Sequence, residues 1–115
     1  MISEALSRFD VVVVPFPFVD SPQAKRRPAL ILSGAELAVR GLSHRVMAMV
    51  TSAANPPWPL DVRIQDLGAA GLPAPSVVRM KLFTLDHRLV LARAGRLSPR
   101  DRKSVTLTLR ELLGL

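Results

Sequence analysis

The stretch from Asp10 to Leu32 constrains the fold most, because it joins two apolar segments through a short polar loop. Val11–Val14 is a run of β-branched residues, which favours a buried strand. Pro15 and Pro17 follow this run and confine the end of the strand to an edge or a bend. Ala29–Leu32 is again apolar and predicts a second strand. The stretch therefore predicts a strand, a loop and a strand.

Three consecutive cations end this loop at the mouth of the second strand. Lys25, Arg26 and Arg27 precede Pro28, and a proline biases the residue before it toward an extended backbone. A guanidinium presents a planar fork of donors that matches phosphate oxygens, and it keeps its charge. The cations therefore predict an anion clamp around Arg27. The alternative is a solvent-exposed strand edge whose charge only promotes solubility.

The composition limits the classes of protein and of site. A chain of 115 residues suffices for one domain with one core, expected to span residues 1–115. The formal net charge of +7 favours RNA, DNA or an acidic protein as partner. Without cysteine and with only two histidines, thiolate and histidine-rich metal sites are excluded, and no metal or cofactor is expected. Neither a signal peptide nor a membrane-length apolar run is recognisable, which predicts a soluble cytoplasmic protein.

The middle of the chain predicts short strands. Arg45–Thr51 is apolar on both faces, which indicates a central strand. Ala53–Pro59 follows as a loop, because its prolines prevent regular structure. The other predicted strands are short and are separated by turns: Leu60–Ile64, Ser76–Met80, Leu82–Leu85 and Leu89–Ala92, with turns at Asp66–Pro73 and at Gly95. Short strands of this kind are typical of a small barrel.

The C-terminal segment carries helix signals at both ends. Ser98, Pro99 and Asp101 supply a cap, a first-turn proline and an acid at the capping-box position, and Gly114 stands where a helix would stop. Val105–Leu109 also alternates as a strand would. The agreement of the two ends favours the helix. The predicted fold is therefore mainly β, a small barrel with a C-terminal α-helix.

Six short segments together carry a family resemblance. They are DVVVVPFPF, KRRPALILS, VTS at Val50–Ser52, PSVVR at Pro75–Arg79, FTLD at Phe83–Asp86 and the closing GRLSPRD…LLGL. In this order they resemble the MazF/PemK/Kid family of toxins from toxin–antitoxin pairs. The resemblance implies an SH3-like or CcdB-like small barrel, a homodimer and an acidic antitoxin protein as partner. The implied activity is sequence-selective, metal-independent endoribonuclease cleavage of single-stranded RNA, which inhibits translation.

The resemblance also implies roles for individual residues. Arg27 and Thr51 correspond to catalytic residues, and Arg79 joins them in some members of the family. The candidate substrate contacts are Gln23, Lys25, Arg26, Ser52 and Lys81. Several relatives carry a glutamate where Pro22 or Gln23 stands, and some carry an acid where Lys81 stands. Both differences remove a candidate acid–base group.

The chemistry of RNA cleavage fits some of these residues directly. The 2′-hydroxyl must lose its proton, the leaving oxygen must gain one, and donors must stabilise the charge that develops on the phosphate. Arg27 and Arg79 suit the last task, and the stiff side chain of Thr51 would preorganise its hydroxyl. The alternative for Arg79 is a structural ion pair with one of three carboxylates, Asp61, Asp66 or Asp86.

Three further side chains have alternative interpretations. Trp58, which is flanked by prolines, could stack on a base of single-stranded RNA, or it could pack over the barrel end or into an interface. Histidine is a common acid–base group in enzymes, but His44 and His87 both lie in polar surroundings and are predicted to be surface histidines.

Two other functions compete with the nuclease. The replaced acids favour a non-catalytic, CcdB-like toxin or binding module that acts on a protein such as DNA gyrase. The third possibility is an SH3-like domain that binds RNA or peptides and is not toxic. A test for RNA cleavage distinguishes the nuclease from the other two functions, because only the nuclease cuts RNA.

Overall fold

A computed structural model describes residues 6–17 and 23–115. Within these ranges the chain forms a six-stranded sheet of order β4-β5-β3-β2-β1-β6, in which every paired strand is antiparallel to its neighbour. The strands are β1 (Asp10–Phe16), β2 (Lys25–Ile31), β3 (His44–Ser52), β4 (Val62–Arg63), β5 (Ser76–Asp86) and β6 (Ala92–Arg96). The helices are α1 (Glu36–Val39), α2 (Leu67–Ala70) and α3 (Pro99–Leu113), with a short 3-10 helix at His87–Leu89. The predicted mainly β fold with a C-terminal helix is confirmed.

Both faces of the central strands are buried, as their apolar runs predict. Alternating side chains of β1 enter different clusters: Val11 packs with Leu30, and Val12 packs with Ala29 and Ile31. The first cluster also contains Val105 of α3. α3 therefore covers one face of the curled sheet. In the described part of the chain, no helix is long and apolar enough to cross a membrane.

The fifth strand is continuous where two strands were predicted. Ala48 of β3 pairs with Leu82, and the next residue, Met49, pairs with Arg79. Met80 and Lys81 are therefore extra residues in a β-bulge, which bends a strand without ending it. The polar interruption at Lys81 marks this bulge.

The predicted turn at Asp66–Pro73 contains α2, and the predicted turn at Gly95 lies inside β6. The side chain of Asp66 caps α2 by accepting a hydrogen bond from the backbone of Ala69. A Cβ at Gly95 would come within 2.5 Å of the backbone carbon of Ala70. Gly95 is therefore needed for close packing between α2 and β6.

The segment after β5 also differs from the prediction. Leu89 ends the 3-10 helix, and the strand begins only at Ala92, so the predicted strand Leu89–Ala92 is wrong. His87 is buried rather than exposed, with 7% of its surface accessible. His44 is exposed, as predicted. The backbone N–H of His87 donates a hydrogen bond to the carbonyl of Ser43 at 2.9 Å, a contact with a distant segment that its polar neighbours in the sequence do not indicate.

The structure confirms the predicted beginning and end of α3. The Ser98 hydroxyl accepts a hydrogen bond from the backbone N–H of Asp101 at 3.3 Å, and Gly114 has a left-handed backbone with φ of 71°. The Asp101 carboxylate is 1% exposed and accepts hydrogen bonds from the backbone N–H groups of Gln65 and Asp66, each at 3.0 Å. α3 is thereby anchored to the segment between β4 and α2.

Candidate functional site

A cavity of about 510 Å³ opens where β2 begins and β3 ends. Its walls come from four strands and two loops: Phe16, Arg27, Pro28, Met49, Val50, Thr51, Ser52, Asn55 and residues 72–76. The cavity therefore contains Arg27 and Thr51, together with Ser52.

Strand register explains why these residues meet. Ala29 of β2 pairs with Met49 of β3 in an antiparallel ladder. Continuing that register by two residues brings Arg27 opposite Thr51, and residues two apart in a strand lie on the same face. The pairing of β2 with β3 thus places the cation of Arg27 and the hydroxyl of Thr51 side by side at one end of the sheet.

The hydroxyl of Thr51 is oriented by Asn55, a residue that sequence reasoning missed. The Asn55 side-chain amide donates a hydrogen bond to Thr51 Oγ1 at 2.6 Å. The Thr51 oxygen therefore acts as an acceptor there, which leaves its own proton to be donated to a ligand. Ser52 accepts a hydrogen bond from the backbone of Ala54 at 3.1 Å and so tightens the same loop. The only sequence signal for Asn55 is a polar residue four positions after Thr51.

Arg27 is the one ionisable residue among the described residues that line the cavity. Its side chain is exposed, and no described residue forms a hydrogen bond or an ion pair with it. In residues 6–17 and 23–115, no three side chains of the metal-binding types form a group that could hold a metal ion. The cavity thus offers an unpaired guanidinium and a hydroxyl to an anion.

The other predicted contacts lie outside this cavity. Lys25 and Arg26 are exposed on β2, beside the end of β1. Gln23 is exposed next to them, whereas Pro22 lies outside the described residues. Lys81 is exposed in the bulge of β5. The structure therefore brings Ser52 to Arg27 and Thr51 but leaves the other candidate contacts on neighbouring surfaces.

Arg79 adopts the alternative arrangement, an ion pair with Asp61. Its guanidinium donates hydrogen bonds to both Asp61 oxygens, at 3.2 and 3.0 Å, and to the carbonyl of Pro56 at 2.9 Å. It also lies over the Trp58 ring, 5.1 Å from the centroid, while the amino group of Lys81 lies 5.5 Å from it. Arg79 does not line the cavity and instead holds the loop after β3 against β5. The ring of Trp58 remains 47% exposed.

The ion pair of Arg79 predicts a pH-dependent stability. Hydrogen bonds from Arg79 hold the pKa of Asp61 below its ordinary value, against the opposing effect of burial. Such a carboxylate makes its full contribution to stability at pH values above its ordinary pKa of about 4. This contribution is lost as the pH falls through the lowered pKa. Asp61→Asn is expected to cost about 1–2 kcal/mol at neutral pH and almost nothing in strong acid. Urea unfolding of both proteins across this range measures the difference, and a constant difference would contradict the prediction.

Comparison with known proteins identifies the family and the fold of the chain. The chain matches, over residues 7–113, the family described as PemK-like, MazF-like toxin of type II toxin-antitoxin system. It is similar to a crystal structure of MazF from Deinococcus radiodurans, with 26% identity, coverage of 96% of this chain and 97% of that chain, and a TM-score of 0.71. No curated protein sequence matches the chain.

Two complexes share the fold at lower identity. A MazE-MazF structure from Deinococcus radiodurans has 23% identity, coverage of 96% of this chain and 97% of that chain, and a TM-score of 0.75. An endoribonuclease in complex with its cognate antitoxin, from Mycobacterial species, has 21% identity, coverage of 96% and 95%, and a TM-score of 0.70. The chain belongs to the PemK-like, MazF-like family of toxins of type II toxin–antitoxin systems.

Proposed function

We propose that this toxin is a metal-independent endoribonuclease that cleaves single-stranded RNA and thereby inhibits translation. The observation that carries the proposal is the shared cavity, where the Arg27 guanidinium, which has no partner among the described residues, and an oriented Thr51 hydroxyl lie at the ends of adjacent strands. A structural relative from Mycobacterial species is named as an endoribonuclease, which supports the same activity here.

The reaction is an attack of the RNA 2′-hydroxyl on the adjacent phosphorus. Water takes the proton of the 2′-hydroxyl, the bond from the 2′-oxygen to phosphorus forms, and the bond from phosphorus to the 5′-oxygen breaks. The 5′-oxygen gains a proton from water, so the products are a 2′,3′-cyclic phosphate and a 5′-hydroxyl. Arg27 binds two non-bridging oxygens with its fork, and Thr51 donates a hydrogen bond to the charge that develops on them. The described lining residues include no carboxylate and no histidine. Their contribution is therefore charge stabilisation rather than proton transfer.

The surface charge and the apolar end of α3 support the partners in this proposal. The net charge of +7 suits both RNA and an acidic antitoxin, and a relative with this fold is a complex of MazE with MazF. Leu107, Leu112 and Leu113 of α3 are 57%, 40% and 53% exposed. An exposed apolar group of this kind is typical of a contact surface, here between two copies of the toxin.

Mapping RNA ends after cleavage in EDTA tests the activity. The purified protein is expected to cut a long RNA at a limited set of sequences, leaving cyclic phosphates and 5′-hydroxyls. Intact RNA at high protein concentration would contradict the proposal.

The lack of a carboxylate or histidine among the described lining residues favours one second candidate, a non-catalytic CcdB-like toxin or binding module that acts on a protein such as DNA gyrase. Inhibited supercoiling without any RNA cleavage would support that function.

Removing the hydroxyl of Thr51 is expected to slow cleavage about tenfold or more, which is less than the loss of the charged Arg27 donor, because a hydrogen bond from a neutral group is weaker. Thr51→Val keeps the shape of the side chain, and Thr51→Ser serves as the control because it keeps the hydroxyl. Single-turnover rates on one RNA substrate measure both variants. Equal rates for Thr51→Val and the unmodified protein would exclude Thr51 from the chemistry.

A further inference from the structure

A second cavity adjoins the first one. Its volume is about 270 Å³, and its lining consists of six residues: Ala53, Asn55, Pro57, Asp61, Arg63 and Val77. Asn55 lines both cavities, and its amide donates to the hydroxyl of Thr51. A group in the second cavity would therefore lie next to a phosphate held by Arg27 and Thr51.

Arg63 supplies the second cavity with an available guanidinium. It lies on the edge strand β4, where Val62 is buried and the next side chain along the strand points to the opposite face. Arg63 is exposed, and within residues 6–17 and 23–115 no side chain or backbone group forms a hydrogen bond or an ion pair with its guanidinium. Five donors in a planar fork are thus available to a ligand.

Asp61 supplies the same cavity with a fixed carboxylate. Arg79 and the backbone N–H of Trp58 hold its two oxygens, with distances of 2.9 to 3.2 Å. Its side chain is 13% exposed. Oδ2 already accepts two of these hydrogen bonds and Oδ1 accepts one, so Oδ1 can still accept a hydrogen bond from a ligand donor. The cavity therefore combines a free donor fork with a positioned acceptor.

We infer that this second cavity binds a guanine of the RNA, directly next to the phosphate that is cleaved. Guanine presents paired acceptors, O6 and N7, which match a guanidinium fork. Its neighbouring edge carries N–H donors that suit the carboxylate of Asp61. Adenine and uracil lack two adjacent acceptors. Cytosine has two in O2 and N3, but the commonest specific pairing of an arginine fork is with O6 and N7 of guanine. Ala53, Pro57 and Val77 provide apolar walls for the ring, as is usual where proteins bind unstacked bases. The inference deepens the proposed nuclease function by assigning it a base preference.

Binding to a pool of random single-stranded RNA with 2′-O-methyl groups tests the inference without cleavage, because the attacking hydroxyl is blocked. The unmodified protein is expected to enrich guanine at one position. Arg63→Gln should reduce that enrichment about tenfold or more. Arg63→Lys keeps the charge but not the fork, so it should lose the enrichment while retaining overall affinity. The control is Arg40→Gln, an exposed arginine near the other end of β3, which should preserve the guanine preference.

Two results would overturn the inference. The first is the absence of guanine enrichment by the unmodified protein. The second is a uniform loss of affinity for all sequences in Arg63→Gln, with a salt dependence reduced by about one phosphate contact, which would assign Arg63 to the backbone of the RNA. Cleavage of unmodified RNA is measured separately. Guanine selection without cleavage would refute the nuclease function and leave this binding site in place.

Discussion

Replacing Arg27 with alanine is expected to slow RNA cleavage by about a hundredfold to a thousandfold, the usual cost of removing one preorganised donor from a developing oxyanion. Within the described residues, the guanidinium is the only positive charge that lines the larger cavity, and no other described group compensates for it there. The single-turnover rate on a defined RNA in EDTA measures the loss. Because Arg27 is exposed, the variant should fold with a stability within about 0.5 kcal/mol of the original.

Arg26→Ala is the matched control for this prediction. Arg26 is also exposed on β2, but the alternation of the strand places it on the opposite face from Arg27, and it does not line the cavity. Its loss should weaken RNA binding at low salt and change the rate at saturating protein far less. Equal rate losses in the two variants would mean that general positive charge, rather than the position of Arg27, matters.

Replacing Asp101 with alanine is expected to lower the free energy of unfolding by about 2–4 kcal/mol. The buried carboxylate accepts hydrogen bonds from the backbone of Gln65 and Asp66, and alanine would leave both donors without a partner. The negative charge also lies in the first turn of α3, where the helix dipole favours it. Urea unfolding followed by circular dichroism measures the change.

Two variants complete this experiment. Glu111→Ala removes an exposed carboxylate from the same helix and should change stability by less than about 0.5 kcal/mol. Asp101→Asn keeps an acceptor oxygen, so its loss of unfolding free energy should lie between those of Asp101→Ala and Glu111→Ala. An equal free energy of unfolding for Asp101→Ala and Glu111→Ala would show that Asp101 does not anchor α3 to the segment between β4 and α2.

Local signals were sufficient for several elements. Val11, Val12 and Val14 of the β-branched run are buried in β1, because such residues suit a strand that packs into a core. α3 begins after Ser98 and ends before Gly114 because caps act within one turn of the helix. The extended bias that Pro28 imposes on Arg27 agrees with its position in β2.

The missed features depend on contacts between distant parts of the chain. Only the folded structure identifies Asn55, because its loop folds back and places its amide beside Thr51. The choice of Asp61 as the partner of Arg79 depends on that same loop reaching β5, and the sequence offered three carboxylates. Gly95 resembled a turn residue, whereas its role is to let α2 approach β6. Short-range patterns contain no information on such contacts.

A double-mutant cycle on cleavage most directly tests whether Arg27 and Thr51 act on one phosphate. Single-turnover rates are measured in EDTA for the unmodified protein, Arg27→Ala, Thr51→Val and the combined variant. Groups that share a transition state are not independent, so the combined loss should be clearly smaller than the product of the two single losses. A combined loss equal to that product, or rates that depend on neither residue, would contradict a shared catalytic cavity.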